Sequence, residues 1–205
     1  LDASSGWAAY VNEIEHVDTA VNRILDQLAE LGSRRIVALT SDHGEELFDH
    51  GGFEHGHTLY EELVRVPLVL TGLQRRRPGS IEGEPVSIGD LTPTLLAAAG
   101  LPTQGQNLDY PIQRRPLLSW NLLYGHPDQY AVRDGPWKLI ARENGEGRLF
   151  NLADDPGERI DQSGARPDLV ARLAKPPVVR PRSEARTLTP AQANALRMLG
   201  YLEER

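Results

Sequence analysis

An α/β layered fold followed by a small antiparallel appendage is the architecture this sequence predicts. Three observations point to it. Apolar residues recur at helical spacing over the first thirty or so positions, an apolar run follows at once, and short runs separated by turn residues fill the region after 129. Trp7, Val11, Ile14, Val17, Val21, Ile24, Leu25, Leu28 and Leu31 step mostly by three and four, the spacing of one long amphipathic helix, with Ser4 or Ser5 to cap its start and Gly32 its end. RIVALT (35–40) then reads as a buried strand, and a helix leading into such a strand predicts a layered fold with a largely parallel sheet. VPLVL (66–70) is a second buried strand, with Pro67 tolerable only at its start or on an edge. Asp90 or Thr92 can cap a short helix that has Pro93 in its first turn and Gly100 just past its end. The segment 101–129, rich in Pro, Gln and Asn, reads mostly as loop.

QYAVR (129–133), WKLIA (137–141) and RLFNL (148–152) are separated by DGP (134–136) and ENGEG (143–147). Those turn residues predict antiparallel hairpins, with LVARL (169–173) as a helix laid against them. A Pro/Arg-rich linker leads to a last short helix, capped by Thr189, started by Pro190 and stopped by Gly200. The expected division is therefore 1–128, 129–175 and 176–205.

Composition bounds the function classes. A chain of 205 residues can bury a sizeable core. Its net charge of −7 forms no basic stripe, which argues against nucleic acid and anionic membranes as partners. The triplet RRR (75–77) reads as a solvated loop. The absence of cysteine excludes disulfides and thiolate metal sites. No signal peptide, lipidation motif or transmembrane run is present, which leaves the compartment open, and the chain starts on Leu1 rather than on methionine.

The chemistry concentrates in TSDHGEE (40–46), at the end of the first strand. In open α/β sheets ligands bind outside the carboxyl ends of the strands. A carboxylate and a neutral imidazole side by side, Asp42 and His43, can both face one cation, and that pairing suits zinc, manganese or another borderline metal. Asp42 capping the next turn, with His43 incidental, is equally compatible with the pair taken alone. His50, His55 and His57 add three imidazoles to the same glycine-punctuated loop, whereas His16 and His126 read as surface groups. Glu61 and Arg65 stand one turn apart and read as a structural pair. Lys138 likewise reads as structural.

SDHGE (41–45), HGHTLYEE (55–62), RVPL (65–68), DLTPTLL (90–96), RDGPWKLI (133–140) and LFNLADDPGE (149–158) form an ordered set. Together they closely resemble the sulfatases of the alkaline phosphatase superfamily. The tail LRMLGYL (196–202) is similar to the end of many bacterial sulfatase-like proteins. The resemblance implies the C-terminal portion of an alkaline-phosphatase-like layered α/β fold, with an antiparallel subdomain at 129–175. It implies Asp42 and His43 as ligands of one divalent metal (manganese, calcium or zinc), His55 as a catalytic residue contacting the transferred group, and His57 as a second substrate-binding histidine. The substrate implied is a small-molecule or glycan sulfate ester.

A formylglycine nucleophile is also implied. These 205 residues contain no C/S-x-P-x-R motif, so they are expected to be catalytically silent alone and to self-associate through exposed sheet. Many sulfatases carry Asn where this chain has His43, and bind calcium. His43 is instead similar to the phosphonate monoester hydrolases and phosphoethanolamine transferases of the same superfamily. Phosphoryl transfer and a non-catalytic module that retains the fold are the alternatives. The stretches 60–62 and 65–67 and the LFNLADDPGE turn favour the sulfatase branch.

Overall fold

A computed structural model describes residues 3–30, 35–121, 129–142 and 146–175. Expectations for Gly32, His126 and the helix within 176–205 lie outside the described residues. The chain divides into two compact units. One is Leu1–His55 with Glu62–Arg114; the other is Gly56–Glu61 with Arg115–Arg205.

In the first unit, α1 (Ala3–Glu30) starts ahead of Ser4 and Ser5 rather than being capped by them. Its apolar stripe is present as predicted, yet Trp7, Ile14, Val17 and Ile24 are exposed. β1 (Val37–Thr40) pairs with β4 (Leu68–Thr71), Val37 opposite Thr71 and Thr40 opposite Leu68. This pair is antiparallel, which corrects the expected parallel arrangement. Between β1 and β4 the chain makes the hairpin β2 (Glu46–Leu47) and β3 (Phe53–Glu54) and then only a four-residue helix, α2 (Glu61–Val64). A parallel return is usually brought round by a full crossover helix, and α2 is a single turn. Leu39 and Val69, opposite each other in the register, are exposed, so this pair is not covered on both faces among the described residues. Pro67 stands just before β4, where its missing N–H costs no ladder bond, and its carbonyl accepts the Thr40 hydroxyl at 2.8 Å.

Asp90 stands at the N-cap of the next helix as expected but makes no side-chain cap bond there; Ser87 caps the 3₁₀ turn that leads into it. Its hydroxyl accepts from Gly89 N, and Asp90 reaches back to Ser87 N at 3.0 Å, a capping box on the 3₁₀ turn Ile88–Asp90. That turn runs into α3 (Leu91–Ala98), which Gly100 ends at φ +74°. Buried Thr94 donates to Asp90 O and accepts from Leu108 N, so the following loop is tied down. Within RRR, Arg75 lies over the Tyr110 ring, and Arg76 donates to the carbonyls of Leu108 and Tyr110 and pairs with Glu82. The triplet fastens two loops together instead of being merely solvated.

The second unit is a four-stranded antiparallel sheet in the order β5 (Leu117–Asn121), β6 (Gln129–Asp134), β7 (Trp137–Arg142), β8 (Gly147–Asn151). β5 lies inside the segment read as loop. Its short LLSWN run becomes a strand because β6 supplies the ladder, Leu117 opposite Arg133 through Asn121 opposite Gln129. Val132, Leu139 and Leu149 form a core with Leu169 and Leu173 of α4 (Pro167–Leu173), whose first turn holds Pro167. Glu61 does not pair with Arg65 as expected. Its carboxylate meets Arg133 at 3.1 Å and Lys138 at 2.9 Å, and Lys138, 1% exposed, also meets Glu158 at 2.9 Å.

Candidate active site

The site residues of the first unit follow β1 directly. His43 N donates to Asp42 Oδ1 at 3.0 Å, and the Ser41 hydroxyl donates to His43 O, so the chain turns sharply as the strand ends. The His43 ring is held by its neighbour: Nδ1 donates to Gly44 O at 2.8 Å. That bond assigns the proton to Nδ1 and leaves the Nε2 lone pair free, 3.8 Å from Asp42 Oδ1. Two donors each about 2.1 Å from one cation can stand up to about 4.2 Å apart, so the pair fits a shared divalent ion. Among the described residues no group of three or more His, Asp or Glu side chains could hold a metal.

Gly44 is required where it stands. Its N–H donates to Leu63 O at 2.8 Å, and a Cβ there would fall inside the carbonyl of Glu62. Gly44→Ala is expected to cost about 1–3 kcal/mol, since the clash is with backbone and no rotamer relieves it. Chemical denaturation of the variant measures this, and an unchanged midpoint would mean that the loop accommodates a side chain.

His55 comes back beside this pair. Its ring stacks on His43, with centroids 4.1 Å apart and planes inclined by 26°. Its Nδ1 lies 3.3 Å from Glu45 Oε1, a carboxylate that can orient the ring. Sequence reasoning gave Glu45 no role. The available signal was an acid next to Gly44 inside the same SDHGE run.

His50 does not join the cluster; it pairs with Glu62 at 2.6 Å. Buried Glu46 accepts from His50 N and Gly52 N and so holds the β2–β3 hairpin. His16 bonds only along α1, to Asn12 O. His57 is half-buried in the segment Gly56–Glu61, which belongs to the other unit. The structure thus gathers Asp42, His43, Glu45 and His55 within the first unit.

A family model described as Sulfatase matches residues 3–101. Arylsulfatase K from Xenopus laevis is 28% identical over 192 residues, covering 82% of this chain and 35% of the frog protein. A protein named Sulfatase from Formosa agariphila is 29% identical over 164 residues, covering 76% of this chain and 32% of its own length. The chain therefore spans about a third of the length of the curated relatives it matches.

Among solved structures, BT4656 in complex with its substrate D-glucosamine-2-N,6-O-disulfate superimposes with a TM-score of 0.61 at 26% identity, covering 78% of this chain and 37% of that one. BT1596, a 2-O GAG sulfatase, shares the fold with a TM-score of 0.53 at 23% identity, over 67% of this chain and 34% of its own. The motif order, the family model, the relatives and the alkaline-phosphatase-like α/β fold agree in their likeness to the sulfatases.

Proposed function

We propose that these residues form the C-terminal part of a metal-dependent sulfuric ester hydrolase, with Asp42 and His43 as metal ligands and His55 as the acid for the leaving alcohol. The observation that carries this reading is the cluster at the end of β1: a carboxylate and an imidazole nitrogen within reach of one cation, with a second, carboxylate-held imidazole stacked against them. Sulfatases as a family use a divalent cation and a formylglycine. When bound, the cation would withdraw charge from the sulfate oxygens and favour the ionised form of the attacking hydroxyl.

Each side chain of the cluster has a separate part. Asp42 supplies an oxygen donor with a side chain 77% exposed, open to a ligand. His43 supplies Nε2, with its tautomer fixed through Gly44 O. Glu45 accepts the Nδ1 proton of His55 and aligns the ring, and His55 Nε2 carries the proton to the ester oxygen as the alcohol departs. His57 binds the substrate.

Sulfated saccharides are the substrate class this reading favours, in keeping with the disulfated glucosamine bound by BT4656. Phosphate ester hydrolysis is the second reading, favoured by His43 in place of an oxygen ligand. The ion itself (manganese, zinc or calcium) is part of the proposal.

The test is metal titration by calorimetry on this chain and on Asp42→Ala and His43→Ala. Binding of manganese or zinc is expected in the parent and at least about tenfold weaker in each variant, since losing even an outer-shell partner of a ligand costs about 10–100-fold in affinity. Equal affinity in all three proteins would remove Asp42 and His43 from the metal site.

A further inference from the structure

The histidine loop is continuous in sequence but contributes to both compact units. His55 closes the first unit, and Gly56–Glu61, carrying His57, belongs with the antiparallel sheet. That segment is fastened at both ends. Gly56 O accepts from the Asn121 amide of β5 at 2.6 Å. Tyr60 OH accepts from Arg148 of β8 at 2.9 Å, and its ring meets Phe150 edge-on. The Glu61 carboxylate bridges Arg133 and Lys138, and its backbone N–H donates to Glu158 Oε2 at 2.6 Å.

The deepest part of this anchorage is ionic. Lys138 and Glu158 are each 1% exposed, and the Lys138 ammonium sits between the carboxylates of Glu61 and Glu158. With Arg133 the cluster holds two cations and two anions. Burial holds the Glu158 carboxyl above the ordinary glutamate range, against the pull of Lys138.

Glu158 also adopts φ +50°, a left-handed conformation that costs a residue with a Cβ. The turn that imposes it is built by Asp155, whose two carboxylate oxygens accept from Arg159 N and Ile160 N. A strained backbone and a buried charge cluster are together costly ways to fill a core, and apolar side chains of similar volume would do so with less desolvation. Their return is direction, since each bond ends on the segment 56–61 or on the lysine that holds it.

We propose that Lys138 and Glu158 are positioning residues: with Glu61 they clamp the backbone of 56–61, so that the placement of His57 is set by the C-terminal sheet. The role of His57 toward substrate rests on the sulfatase reading above, whereas the clamp itself does not.

Amide hydrogen exchange and histidine ring NMR on Glu158→Ala test it, with Glu158→Gln measured in the same way if the alanine variant does not fold. Amides 57–61 are expected to exchange about tenfold faster while those of Val132, Leu139 and Leu149 stay within about twofold, the mark of a local opening. The His57 ring signal should shift and that of His16, on α1, should not. Acceleration of the sheet amides in step with 57–61 would make the cluster a general support of the sheet and overturn the proposal, as would unchanged exchange at 57–61. These readouts need no turnover, so a failure of the sulfatase reading shows in the metal titration and leaves them unaltered.

Discussion

Lys138→Met is expected to cost about 3–5 kcal/mol of stability, the usual consequence of removing one partner from a buried ionic group. The ammonium is 1% exposed and lies 2.9 Å from both Glu61 and Glu158. Without it the buried Glu158 carboxylate loses its cation and only Arg133 is left to offset Glu61, whose side chain is 14% exposed. Urea unfolding followed by tryptophan fluorescence reads the effect, since Trp137 and Trp120 pack against the core of this unit. The double variant Lys138→Met/Glu158→Leu should recover a large part of the loss, because the uncompensated anion leaves with its partner. A single variant within about 1 kcal/mol of the parent would mean that the cluster is not ionised as drawn.

His55→Ala, made in a complete enzyme that carries its nucleophile, is expected to lower turnover by about 10²–10⁴-fold while leaving metal content intact. Glu45 lies 3.3 Å from Nδ1 of the His55 ring, and His43, stacked on that ring, is the proposed metal ligand. Asp42→Ala should show the opposite pattern, with metal lost first and turnover lost in consequence. Metal analysis beside turnover on an aryl sulfate separates the two. A His55 variant stripped of metal would make His55 a ligand and not an acid.

Much of this was legible in the sequence because it depends on neighbours a few residues apart. The stripe from Trp7 to Leu28 gave α1 its helical period, the apolar runs marked β1 and β4, and Gly100 marked the end of α3. The turn residues after Asp134 separated β6 from β7. Asp42 and His43 are adjacent in the chain, so their 3.8 Å approach is a local property, and the ordered motifs around them carry the likeness to sulfatases.

What the sequence could not determine by itself depends on partners brought together only by folding. The antiparallel return of β4 was decided by a chain path of a short hairpin and a single helical turn. β5 exists because β6 offers it a ladder, not because its own residues demand a strand. Glu61 lies four positions from Arg65, the spacing of a helical pair, yet its charge is met by Lys138, 77 residues away, and its N–H by Glu158, 97 residues away. A helical pair at that spacing contributes only about 0.2–0.5 kcal/mol, so a buried site with two cations readily outbids it. The same long-range contacts divide the histidine loop after His55, a boundary with no local signature, because it is set by what the sheet residues Asn121, Lys138 and Arg148 hold.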